Sequence, residues 1–119
     1  MELSEIQTQF CEMAQITAQE AAQYSGLLSA TLSRVDQAVS GRTLTQTQKA
    51  LLCRAAAALA YRELVTLQVA AEPSFSAGDV SVTQQASRLQ AAKELARQAI
   101  APVRELLGES DFSFLRVVS

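Results

Sequence analysis

The sequence predicts an all-α fold, a helical bundle of about four helices, and three observations carry that prediction. Strong helix formers far outnumber breakers, with 21 Ala and 13 Gln against 4 Gly and 2 Pro in 119 residues. Apolar residues recur at helical spacing along most of the chain. Two capping-box patterns mark helix starts. The length is that of one domain, residues 1–119, and an apolar content of 49% is enough to give it a core.

Leu3, Ile6, Phe10 and Met13 lie on one face of a short amphipathic first helix. Thr17-Ala-Gln-Glu20 is a capping box, in which the Thr hydroxyl and the Glu carboxylate each satisfy an otherwise unpaired backbone N–H. A second helix is predicted to start there. Its apolar face runs without interruption through Tyr24, Leu27, Leu28, Leu32, Val35 and Val39, a rod about 30 Å long, and Gly41 stops it. The two tyrosines, Tyr24 here and Tyr61 further on, read as core residues whose hydroxyls reach a polar rim.

Thr45-Gln-Thr-Gln48 opens the most apolar segment, Ala50 to Ala71, which contains Ala55-Ala-Ala-Ala-Leu59. A helix with so little polar surface belongs at the centre of the bundle. Its alanines allow close approach, while Leu52, Leu59, Leu64 and Leu67 supply bulk between helices. Pro73 ends the pattern. Residues 74–83 then read as a short extended arm or hairpin between the third and last long helices, because Val80 and Val82 alternate with small polar residues around a Gly78-Asp79 turn. Phe75, Gly78, Asp79, Val80, Ser81 and Val82 make up this arm, and its strand edge suits addition to a neighbouring subunit.

Thr83 caps the last long helix, on which Ala86, Leu89, Ala92, Leu95, Ala96, Ala99, Ile100, Val103 and Leu107 share a face. Pro102 falls inside that pattern and predicts a kink or break near Ile100. After Gly108, residues 109–119 read as an extended C-terminal tail. Its Phe112 and Phe114 find nothing to bury them within the tail itself, so they must dock on the bundle or on another subunit.

Composition excludes much familiar chemistry. The chain has no His, and its two cysteines, Cys11 and Cys53, lack CxxC spacing, which removes the usual zinc sites and every His-based catalytic dyad. Both cysteines read as small buried hydrophobes. No phosphate loop, metal cluster or nucleophile elbow occurs, so no catalytic, cofactor or metal residue is assigned. A net charge of −2 argues against a general nucleic-acid binder and leaves at most non-specific DNA contact. Met1-Glu-Leu-Ser-Glu5 lacks the basic and apolar regions of a signal peptide, and no run reaches the roughly 18 apolar residues that span a bilayer. The expectation is a protein neither secreted nor in a membrane.

Charge is segregated. Residues 1–33 hold Glu2, Glu5, Glu12 and Glu20 without a base, and residues 42–62 hold Arg42, Lys49, Arg54 and Arg62 without an acid. That pattern suits either solvated or intramolecularly matched helix faces or a head-to-tail subunit interface, for which Glu12, Glu20, Arg42, Lys49 and Arg54 are the candidates. Lys93, Arg97 and Arg104 lie within about 40° on the last helix, a cationic stripe that faces either solvent or a DNA channel.

The helical N-terminal segment, the Ala-rich central helix, the Gly78-Asp79-Val80-Ser81-Val82 element with Thr83, and the closing Pro102-Val-Arg-Glu-Leu-Leu107 together resemble the head-tail connector, or head-completion, proteins of long-tailed bacteriophages and prophages. The resemblance implies a structural subunit that forms a homo-oligomeric ring between the capsid portal and the tail, around the DNA exit channel, without catalysis. It further implies portal and tail proteins as partners, an assembly role for the arm, and a location in the virion or the host cytoplasm. From other classes, a small helical enzyme that takes an anionic metabolite through Arg54, Arg62 or Arg97, as chorismate-mutase-like bundles do, and a cytoplasmic helical adaptor are the alternatives.

Overall fold

The structure, a computed structural model, describes residues 3–71 and 78–107. It is an all-α bundle: α1 (Leu3–Ala14), α2 (Ala18–Ala21), a 3₁₀ turn (Ala22–Tyr24), α3 (Ser25–Ala38), α4 (Gln46–Ala71), α5 (Gly78–Ile100), a second 3₁₀ turn (Ala101–Val103) and α6 (Arg104–Leu107). Among the described residues no helix is long and apolar enough to cross a membrane.

Local chemistry sets most of the boundaries. Gln15, at φ 58°, occupies the left-handed position after α1, and the Ile16 N–H donates back to the Cys11 carbonyl at 3.1 Å, which is the closing bond of a Schellman motif. Thr17 then caps α2, its Oγ1 accepting the Glu20 N–H at 3.1 Å. The uninterrupted second helix expected from the sequence is corrected to two helices joined by the 3₁₀ turn at Ala22–Tyr24. Tyr24, at φ −107° and ψ 18°, leaves α geometry just before Ser25-Gly26, a pair of weak helix formers that does little to hold the α register. Gly41 supplies the stop after α3 with a φ of 84°.

At the start of α4 the capping box is reciprocal. The Gln48 N–H donates to Thr45 Oγ1 at 3.1 Å, and the Thr45 N–H donates to Gln48 Oε1 at 2.8 Å. Thr45→Ala should therefore lower stability by about 1 kcal/mol in urea unfolding, with Thr45→Asp retaining most of the wild-type value.

The centre of the bundle is α4. Residues 55–59 cover the whole circumference of a helix at about 100° per residue, and all five are between 0% and 3% exposed. A helix buried all round needs neighbours on every side. Those neighbours are α1, α3 and α5, each packed along α4, with the second 3₁₀ turn closing the end. Ile6 and Phe10 bring the α1 face into the core, and the Phe10 ring meets Tyr24 edge-on at 6.0 Å. Thr31, the one buried polar residue among those described, donates its hydroxyl to the Leu27 carbonyl at 2.9 Å.

Two expectations about the second half of the chain are corrected. Residues 78–83 are helical, so they form neither an extended arm nor a hairpin, and α5 starts at Gly78 rather than at a Thr83 cap. A Gly-Asp pair opens helices as well as turns, and two valines two apart are too short a pattern to impose a strand beside a long helical one. Residues 74–77, and Phe75 with them, lie outside the described residues, as does the tail 109–119. Leu67 is the other correction, since it is 57% exposed where the sequence predicted packing between helices. The break near Ile100 is present: α5 ends there, and Pro102 sits in the 3₁₀ turn before α6 resumes.

Candidate functional site

The molecule is long and thin, 51 × 32 × 19 Å, with a radius of gyration of 15.0 Å against about 13 Å for a compact chain of this size. The length comes from α4 and α5, which pack on one another as an antiparallel hairpin. An Arg88 Nη2 hydrogen bond to Gln68 Oε1 fixes their register near the distal end. There α4 loses its other neighbours: Leu64 and Val65 remain buried, whereas Thr66, Leu67 and Ala70 are open.

Residues 78–82 form the first turns of α5, at this far end of the hairpin. The five charges considered for a subunit interface are all exposed: Glu12 on α1, Glu20 on α2, Arg42 after α3, and Lys49 and Arg54 on α4. Two of them have local work. Glu20 accepts a hydrogen bond from the Thr17 hydroxyl at 3.2 Å, and Arg42 Nη1 donates to the Glu105 carbonyl at 3.3 Å, tying α6 to the end of α3. A cation beside the last carbonyls of a helix also suits the helix dipole.

The cationic stripe on the last helix is partly neutralised. Arg97 donates to the Glu94 carboxylate through Nε at 3.0 Å and through Nη2, and Gln98 Nε2 donates to the same carboxylate at 3.2 Å. Hydrogen bonds from Arg97 and then Gln98 hold the Glu94 carboxyl below its ordinary range, and the same pair raises the Arg97 guanidinium. Lys93 is half-buried, and Arg104 is exposed on α6.

The three arginines considered for an anionic metabolite occupy dissimilar settings. Arg54 is exposed, and Arg62 is half-buried, its pKa lowered by desolvation against the opposing pull of Glu63. Eight residues of helix separate the two by about 12 Å and turn them by about 80°. Arg97 is already engaged by Glu94. No observation brings the three together on one ligand.

Other chemistry is sparse among the described residues. No group of three or more His, Cys, Asp or Glu is arranged to hold a metal ion, and no buried side-chain polar atom lacks a hydrogen-bond partner. Neither cysteine is in a disulfide among the described residues. Cys53 is buried, with its thiol 3.3 Å from Glu5 Oε2, and Cys11 is half-buried. One open depression is lined by Ser29, Leu32, Ser33, Asp36, Gln37 and Ser40, all from α3 and the residue two beyond its end. These fall on one stripe of a single helix, which gives a shallow polar surface rather than an enclosed site.

Comparison of the chain with protein-family models, with curated proteins and with solved structures finds no match in any of the three. The described residues show a central helix enclosed over residues 55–60, an elongated hairpin, and an apolar residue left open near the hairpin's end. Leu67 was missed in the sequence because its periodicity is that of a core residue. Only the point at which neighbouring helices stop makes it a surface residue.

Proposed function

We propose that the chain is a non-catalytic assembly subunit of the head-tail connector kind, which forms a homo-oligomeric ring and joins a portal to a tail. The observation that carries this reading is the α4/α5 hairpin, which outruns the rest of the bundle and leaves Leu67 57% exposed near its end. An assembling subunit can use such an extension to reach a neighbour. Residues 78–82, which carry the resemblance to connectors, lie at the same end and would act there as a helix start rather than as an added strand. The exposed Glu12 and Glu20, against the exposed Arg42, Lys49 and Arg54, supply opposite charges for steering one subunit to the next.

Sedimentation over a wide concentration range tests the proposal. The 12.8 kDa chain should pass from monomer to large oligomers as its concentration rises, with closed rings in electron micrographs. A species that stays at monomer mass throughout would reject it in favour of the adaptor reading.

A further inference from the structure

Among the described residues, two in the left-handed region turn the chain between helices. Between α3 and α4 it is Gly41, at φ 84°, a conformation that glycine adopts without steric cost. Between α1 and α2 it is Gln15, at φ 58°, the one non-glycine residue with positive φ among those described, and its Cβ crowds the backbone there. The surrounding sequence favours helix instead. Ala14-Gln-Ile-Thr-Ala-Gln-Glu-Ala21 contains neither Gly nor Pro, and six of its eight residues are the strong helix formers Ala, Gln and Glu.

A helix continued through this turn would keep a single face. Leu3, Ile6, Phe10, Ala14, Thr17 and Ala21 fall within about 80° of one another at helical spacing, and Ile6, Phe10 and Ala21 are buried. The fold breaks that stripe and bends α1 back beside α2, so that Gln7 Nε2 donates to the Ala18 carbonyl at 3.4 Å. In one straight helix these two residues would stand about 16 Å apart along the axis. The bend is held locally, by the Thr17 cap on the Glu20 N–H and by the Ile16 N–H bond to the Cys11 carbonyl. The hold on α1 itself is different: Ile6 and Phe10 are 0% exposed, α1 packs chiefly on α4, and those contacts are the same whichever copy supplies the helix.

We propose that α1 exchanges between copies of this chain: the turn at Gln15–Thr17 becomes helical, α1 and α2 join into one helix over residues 3–21, and Ile6 and Phe10 enter the α4 surface of a second copy. This rests on the assembly reading above and names its contact. The exchange re-forms the α1–α4 packing and relieves Gln15, and it gives up the Thr17 cap and the Gln7 hydrogen bond to Ala18. A short strained hinge between a bundle and one of its own helices invites this trade. Where each copy passes its α1 onward rather than back, the exchange propagates head to tail and closes into a ring if the rotation allows.

Hinge variants and a thiol reporter test this in the full-length chain. Gln15→Gly accepts the left-handed turn and weakens a continuous helix, so it should reduce self-association about tenfold in sedimentation, whereas Thr17→Ala, which removes the cap, should increase it severalfold. For the reporter, Cys53 Sγ lies 3.3 Å from Glu5 Oε2 and is buried, out of reach of random collisions. In a Cys11→Ser background, one chain carries Glu5→Cys with Cys53→Ser, and a second keeps Glu5 and Cys53. Refolded together at high concentration and oxidised, they should give a covalent heterodimer on a non-reducing gel, which requires the α1 of one chain to cover the α4 of the other. Glu5→Cys with Cys53 in one dilute chain should close on itself, which establishes the reach of the pair. No heterodimer, from a pair that does close within one chain while the wild type assembles, overturns the exchange and leaves the assembly reading standing. Hinge variants that assemble as the wild type does overturn it equally. A wild-type chain that stays monomeric and yields no heterodimer removes both readings.

Discussion

Phe10→Ala should cost about 3 to 5 kcal/mol, the largest single loss expected in this protein. Phe10 is the largest of the fully buried side chains, at 0% exposure. It sits where three elements meet: its own α1, the α4 surface against which α1 packs, and the 3₁₀ turn whose Tyr24 ring approaches it edge-on at 6.0 Å and 66°. Alanine would forfeit the transfer energy of the ring, the cavity left behind and the aromatic contact together. Neighbours held by α4 on one side and by the Ala22–Tyr24 turn on the other have little freedom to collapse into the space. Against a total stability of order 5 to 15 kcal/mol, such a loss should lower Tm by roughly 10 °C or more. Phe10→Leu, which keeps most of the volume, should lose distinctly less. A Tm unchanged in Phe10→Ala would mean that α1 is not part of the cooperative core.

Features fixed by local chemistry were legible in the sequence. The Thr45–Gln48 box, the stop at Gly41 and the break at Pro102 each depend on a handful of adjacent residues, and each is present. The centrality of α4 was legible for a different reason. A run such as residues 55–59 has no polar side to turn toward water, so enclosure is the one stable outcome. What failed depended on context beyond the window. Val80 and Val82 fit a strand or a helix equally, and the long helical pattern that follows decides between them. Leu67 has the spacing of a core residue, but burial also requires a neighbour that reaches it, and the lengths of α1 and α3 are not written near residue 67. Glu12, Glu20, Arg42, Lys49 and Arg54 are exposed, whereas Arg62 and Lys93 are half-buried, and whether the exposed ones face solvent or another subunit is a property of an assembly rather than of one chain's pattern.

Ala57→Leu and Ala58→Leu should each destabilise the protein by about 1 to 3 kcal/mol, although each substitution adds apolar volume to a helix interior. Both alanines are 0% exposed on the enclosed middle of α4, and α5 turns its own small residues inward along the hairpin, with Ala92 and Ala96 at 0% and Ala99 at 5% exposure. Small residues on both sides favour close approach of two helices, and a close-packed seam of this kind leaves little room for a branched side chain. Leucine must then either leave its rotamer or push the helices apart. The second course disturbs every contact that α4 makes, because residues 55–59 touch neighbours around the full circumference. Ala50→Leu is the internal control: it lies on the same helix, is exposed, and should change stability by no more than about 0.5 kcal/mol. Urea unfolding of the three variants reads the difference directly. Equal stability of all three would mean that α4 is not enclosed, whereas a loss confined to Ala57→Leu and Ala58→Leu locates the tightest packing of the bundle on its alanine-rich centre.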